Sequence, residues 1–306
     1  MPMMGCRAKS GRRRYAAFSA AVAMLFVAGA AAQTLYTATS RGYVGSPDVV
    51  GRLYVIEPDT AAAKIVGPIH IKGLRSIGVT GLAVHPQTGV LYGITAGLSP
   101  ELRPSLVTID TRTAEAKLIG PLGAAGSDIN FDSSGTLYVW LADKNRLGTV
   151  DPATGVATPL GPSGIAGTGG GLAINARGEA FVAVTTATGT LDSIDLHTGA
   201  GTRGPALTGA PYLSAINSLT FSPTGVLFGV NSNLGAPANT VLVTIDTASG
   251  AVNALGSLPT DADGLAFSPD AAAMASGLST PQKLGLIALL VVVIALGAVF
   301  LRGRTA

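Results

Sequence analysis

The sequence predicts an all-β protein: a five-bladed β-propeller of four-stranded blades with circular strand closure, an N-terminal signal peptide and one C-terminal transmembrane helix. Three observations predict it. Three short phrases recur five times each between residues 33 and 270, at a period of 41 to 56 residues. The chain enters this cycle at the second phrase and leaves it on the first. Two apolar blocks, 15–32 and 284–301, stand apart from a body rich in Gly, Thr and Val.

Residues 1–32 have the three parts of a secretory signal: a basic stretch ending GRRRY, the apolar stretch AAFSAAVAMLFVAGA (16–30), and the small-residue site AAA (30–32) before Gln33. The apolar part is short for a membrane span, which needs about 20 residues. Paired arginines before Tyr15 also fit a twin-arginine signal, so Sec and Tat export both stay open, as does an uncleaved anchor. Cys6, the only cysteine, precedes the cleavage point, so the mature chain would have no disulfide and no thiolate chemistry.

The body follows at 33–270, a linker at 271–283, the transmembrane helix at 284–301 and a cytoplasmic tail at 302–306. The run LGLIALLVVVIALGAVFL has 18 residues without a charge, enough to cross about 30 Å of hydrocarbon as a helix. Arg302 and Arg304 favour the cytoplasmic side. The expected localisation is therefore exported: anchored in the cytoplasmic membrane with the propeller on the periplasmic or extracellular side, or sorted to the surface. The order STPQK (279–283), apolar helix, Arg-bearing tail resembles the PEP-type and IPTL-type sorting tags of Gram-negative bacteria over about 27 residues. That resemblance implies recognition by an exosortase-like membrane enzyme. No PEP triplet is present and the IPTL order is missing, so a permanent anchor and a processed tag both stay open.

In the body, phrase one is GLAVHP (81–86), DINFDS (128–133), GLAINA (171–176), SLTFSP (218–223) and GLAFSP (264–269). Phrase two is TLYTAT (34–39), VLYGIT (90–95), TLYVWL (136–141), EAFVAV (179–184) and VLFGVN (226–231). Phrase three is LYVIEP (53–58), LVTIDT (106–111), LGTVDP (147–152), LDSIDL (191–196) and LVTIDT (242–247). A looser fourth strand follows, as in AKLIGPLG (116–123). Each phrase is short, β-branched or aromatic, and ends in Gly, Pro, Asn or Asp, the pattern of a strand. The third and fourth strands are joined by D-x-x-T/S-G turns at DPATG, DLHTG and DTASG, where Asp accepts backbone N–H groups and Gly supplies positive φ. That gives Asp110, Asp151, Asp195 and Asp246 a structural role; Glu57 takes the matching place without a following Gly. Because the chain ends on phrase one, GLAFSP can supply the inner strand of the blade begun by TLYTAT, which leaves no open edge.

These units resemble extracytoplasmic WD-like propellers, particularly the NHL and YVTN groups with "LYV…IDTxTG" blades, over about 33–270. The resemblance implies the fold and leaves activity open, because propellers host lyases, glycosidases, lactonases and scaffolds.

Composition narrows the function classes. Of 20 Lys+Arg, eight lie in or beside the two apolar ends, leaving 12 in the body against all 17 acidic residues, a net charge of about −5. Clustered cations for phosphates are missing, which sets nucleic acid aside. The three histidines do not form a catalytic set: His85 and His197 fall in repeat turns, and His70 stands alone. GTGGG (167–171) precedes a strand rather than a helix, so it offers no helix N-terminus to an anion and reads as an inter-blade loop.

No cofactor is required, with one exception to test. The residues just before each inner strand, Thr80, Ser127–Asp128, Gly170, Asn217 and Asp261/Asp263, should ring one mouth of the central channel. Asp128, Asn217, Asp261 and Asp263 are candidate oxygen ligands for Ca²⁺. The leading expectation is a non-enzymatic module that binds a protein or glycan of the envelope, through inserts such as 40–51, 69–80 and 231–240. The alternative is a hydrolase or lyase with paired carboxylates at the channel mouth.

Overall fold

The computed structural model describes residues 33–40, 50–74, 76–96, 102–185, 189–209, 215–232 and 240–268. The expected signal peptide, the linker, the transmembrane helix and the tail lie outside the described residues, as do most of inserts 40–51 and 231–240. Among the described residues, no helix is long and apolar enough to cross a membrane.

Twenty strands form five antiparallel sheets of four. In blade 1, β1 (Leu35–Thr39), β2 (Arg52–Ile56) and β3 (Ala63–Pro68) run outward from the axis. Blade 2 holds β4 (Val79–Val84), β5 (Leu91–Thr95), β6 (Ser105–Ile109) and β7 (Ala116–Pro121). Blade 3 holds β8 (Gly126–Phe131), β9 (Leu137–Leu141), β10 (Arg146–Val150) and β11 (Ala157–Pro159). Blade 4 holds β12 (Thr168–Ile174), β13 (Ala180–Thr185), β14 (Asp192–Ile194) and β15 (Gly201–Thr202). Blade 5 holds β16 (Ala215–Phe221), β17 (Leu227–Ser232), β18 (Val241–Ile245) and β19 (Val252–Ser257). The last strand, β20 (Ala262–Phe267), then completes blade 1 on its inner side, with Leu35 opposite Phe267 and Thr37 opposite Leu265. Thr34 and Ser268 clasp the ends together: Ser268 N–H donates to the Thr34 carbonyl at 2.8 Å, and Thr34 N–H donates to Ser268 Oγ at 2.9 Å. The circular closure expected from the phrase offset is present.

The apolar residues of the phrases fill the spaces between blades. Five buried clusters lie one at each blade-to-blade interface, and the inner strands β20, β4, β8, β12 and β16 pack side by side in a closed ring. Aromatic pairs reinforce three of these interfaces: Tyr92 with Phe131 at 5.3 Å, Phe181 with Phe221 at 5.8 Å, and Phe228 with Phe267 at 5.1 Å between ring centroids.

The D-x-x-T/S-G turns form as the sequence requires. Asp195 Oδ1 accepts His197 N–H at 3.0 Å and Thr198 N–H at 2.7 Å, and Asp246 Oδ1 accepts Ala248 N–H at 3.1 Å and Ser249 N–H at 2.7 Å. Gly155, Gly199 and Gly250 close three of them at φ 81°, 76° and 74°. In the other two turns Ala61 and Ala114 sit at φ 59° and 60°, with their methyl groups buried in the interface clusters. Left-handed backbone costs a non-Gly residue about 1 kcal/mol, while burying one methyl returns about 0.8 kcal/mol. Ala114→Gly is therefore expected to be almost neutral in urea denaturation. Gly155→Ala should lose about 2 kcal/mol, because its new Cβ would stand 2.5 Å from the Gly120 carbonyl oxygen.

One segment differs from expectation. GTGGG is not a loop: Thr168 begins β12, pairing with Thr185, and Gly171 pairs with Ala183 across a bulge. Gly170 adopts φ 122°, open only to glycine, and a Cβ there would stand 2.5 Å from the Ala183 carbonyl oxygen.

Candidate functional site

Each inner strand carries a register shift at its start, and the same column of residues occupies it: Thr80, Ser127, Gly170, Asn217 and Asp263. Such bulges kink the strand and turn the next residue toward a new direction. That next column is Gly81, Asp128, Gly171, Ser218 and Gly264. Three glycines let the strands approach very closely. A Cβ on Gly81 would stand 2.8 Å from Asp128 Cα, and one on Gly171 would stand 2.7 Å from the Ser218 carbonyl carbon. The space they leave is taken by one carboxyl group.

Asp128 has no solvent exposure. Its Oδ1 accepts Ile129 N–H at 3.0 Å and the Ser218 hydroxyl at 3.0 Å; its Oδ2 accepts Leu172 N–H at 2.9 Å and Leu219 N–H at 3.0 Å. Ser218 Oγ in turn accepts Leu265 N–H at 3.0 Å. Strands β8, β12, β16 and β20 are thus tied to one carboxyl and one hydroxyl on the axis, with Gly81 of β4 packed against them. Burial pushes the Asp128 carboxyl well above the ordinary carboxylate range, and the four donors pull it back only in part.

This geometry separates the candidates. Asp128 is not at the mouth but one layer inside it, where each of its oxygens lies within hydrogen-bond distance of two N–H or O–H groups. Both of its oxygens are engaged by these strand donors, where the calcium reading had expected them at the channel mouth. Ser127 Oγ donates to the Gly170 carbonyl at 2.7 Å, and Thr80 Oγ1 donates to the Gly126 carbonyl at 3.4 Å, so these bulge residues link each blade to the next. Asn217 Oδ1 accepts the Ser232 hydroxyl at 2.9 Å. Asp261 lies in the turn before β20 at φ 65°, its carbonyl accepting Ser40 N–H at 3.1 Å. Among the described residues no three His, Cys, Asp or Glu side chains are grouped so as to hold a metal ion.

The three histidines stay apart. His85 Nδ1 accepts Gln87 N–H at 3.2 Å in the β4–β5 turn, its ring lies 4.8 Å from that of Phe131, and partial burial lowers its pKa. His197 shapes the β14–β15 turn, and His70 Nδ1 is 3.0 Å from the Pro68 carbonyl.

At the opposite end of the axis the ring opens into a blind cavity of about 300 Å³, lined by all five blades. Its floor takes Ala83, Asn130, Thr220 and Ala266 from the next inward column, and the Asp128–Ser218 layer closes it below. Thr220 is 5% exposed; neither its hydroxyl nor the Asn130 amide finds a hydrogen-bond partner among the described residues. Reading the sequence missed this site. The signal was present as in-register exceptions: polar Asn130 and Thr220 where three other units have Ala.

No family model matches the chain, and no curated protein matches it. Among solved structures, it is similar to a chain of the crystal structure of a nidogen/laminin complex: TM-score 0.51, 13% identity, covering 77% of this chain and 98% of that one. A protein of unknown function from Bacteroides caccae gives TM-score 0.47 at 14% identity, covering 77% and 98% respectively. At such identities the first likeness speaks for the propeller fold alone.

Proposed function

We propose that the protein is an exported, membrane-anchored envelope propeller that recognises a protein or glycan through one face of its disc. The observation that carries this reading is a difference between the faces. On one face, every third-to-fourth-strand turn has six residues: 57–62, 110–115, 151–156, 195–200 and 246–251. On the other, the second-to-third-strand connections range from four residues (142–145) to twelve (40–51). The blade-to-blade connections there range likewise, from four (122–125) to twelve (203–214). Constant turns serve a repeat fold; variable connections on a rigid frame serve recognition. A hydrolytic reading would need two acids around a substrate, and Asp128 is sealed away from any.

The test places a photocrosslinking residue at exposed Lys144, on the variable face, or at exposed Arg177, on the uniform face, in cells making the full chain. Crosslinks to an envelope component are expected from position 144 and not from 177. Equal crosslinking from both, or none from 144, would overturn the reading. Intact mass of the mature protein decides between a retained anchor and a processed tag.

A further inference from the structure

The axial cavity lies on the uniform face, away from the variable connections. We infer that it is a second binding site, for a neutral pyranose sugar. Its floor is two-sided, below a rim that carries Ser133, Asn175, Ser222 and Ser268. Blades 3 and 5 place Asn130 and Thr220 on its floor, while blades 1 and 2 place only the methyl groups of Ala266 and Ala83 there. A sugar ring has the same division, a hydroxyl edge and a C–H face. The Asn130 carboxamide offers one donor group beside one acceptor, the arrangement that adjacent hydroxyls complement, and the Thr220 hydroxyl rotates to donate or accept. Both groups open onto the cavity rather than onto a protein partner, so a ligand can take their hydrogen bonds in place of water. Thr220 is 5% exposed and faces this cavity.

Charge selects against other ligands. Asp132 is the one charged residue lining the cavity, and its Oδ1 already accepts Ser134 N–H at 3.0 Å, the Ser134 hydroxyl at 2.7 Å and Thr136 N–H at 2.8 Å. With no Lys, Arg or His in the lining, a phosphate or uronate would find no cation. The cavity is closed at its base, so an extended peptide cannot run through it. Its volume is at the small end of the ~300–1,000 Å³ typical of small-molecule sites, which suits one ring rather than a chain. The walls are also rigid, because Phe131, Phe221 and Phe267 are each held in an inter-blade aromatic pair. A preformed cavity loses little conformational entropy on binding.

The experiment is saturation-transfer NMR and thermal melting of the full-length protein in sugar-free buffer. The probes are D-glucose, D-galactose and N-acetylglucosamine, with glucuronate as the anionic control and a glycan array run in parallel. At least one neutral sugar is expected to bind at millimolar concentration and raise the melting midpoint. Thr220→Val should weaken it five- to tenfold, about the value of one hydrogen bond, and Asn130→Ser should weaken it similarly. Binding to free sugar alone identifies a soluble ligand, and binding on the array identifies the terminal unit of a glycan; both sustain the site. No binding by any neutral sugar, equal affinity in both variants, or a preference for glucuronate would overturn it. Thr220→Val should leave crosslinking from position 144 unchanged, so the two functional readings fail separately.

Discussion

Asp128→Ala is expected to remove about 4 kcal/mol of stability, close to the whole margin of ~5–15 kcal/mol that holds a domain folded. The substitution strands Ile129 N–H, Leu172 N–H, Leu219 N–H and the Ser218 hydroxyl around a dry void. Each donor left without an acceptor costs about 1–3 kcal/mol; loss of a buried carboxyl offsets part of the sum. Asp128→Asn should be milder. Its carbonyl can keep Leu172 and Leu219, and its amide can donate to Ser218 Oγ.

The pair also reads the protonation state. Because burial raises the folded pKa of Asp128 above the ordinary value, its contribution is complete below that value and declines as pH rises through the raised one. The melting-temperature gap between wild type and Asp128→Asn should therefore narrow as pH rises from acid toward neutral. A gap that widens would show that the native group is the carboxylate. The turn aspartates 110, 151, 195 and 246 run oppositely: hydrogen bonds from the turn, chiefly backbone N–H groups at Asp110 and Asp195, lower their pKa, so their contribution is lost only as pH falls through those lowered values. Asp128→Asn leaves those four unchanged, which isolates the axial group.

Ending the body at Leu258, without β20, should abolish cooperative unfolding altogether. That strand pairs with β1 through five register positions and also seats Leu265, fully buried, in the cluster between blades 5 and 1. Its loss would bare the inner edge of β1, unpair Leu265 N–H from Ser218 and open the ring between β16 and β4. A propeller has no partial version of closure, since every interface is supported by the two beside it. The measurement is urea denaturation followed by near-UV circular dichroism. A single sharp transition in the shortened chain would show that four blades and three strands suffice.

The fold was legible because it is written five times. Each phrase alone is an ambiguous apolar run, but in-register repetition fixed strand order, turn type and the clasp between 34 and 268. Outer strands were the least legible. β15 keeps two residues and β11 three, and Pro159 and Pro205, lacking N–H groups, limit pairing there. The axis was half legible. The residues before each inner strand do share one ring, as their spacing implied, yet position 128 differs from 127 in a way that spacing cannot show. One bulge residue decides which of the two turns inward, and three distant glycines decide how little room awaits it. A carboxylate among glycines in a repeat column is the trace such a pin leaves.

The clasp at Thr34 and Ser268 occupies the place where the other blades carry a first-to-second-strand hairpin. Both ends of the disc thus emerge on the uniform side. Any segment continuing beyond residue 268 therefore departs from the side that carries the axial cavity, and the irregular connections stay clear of its point of exit.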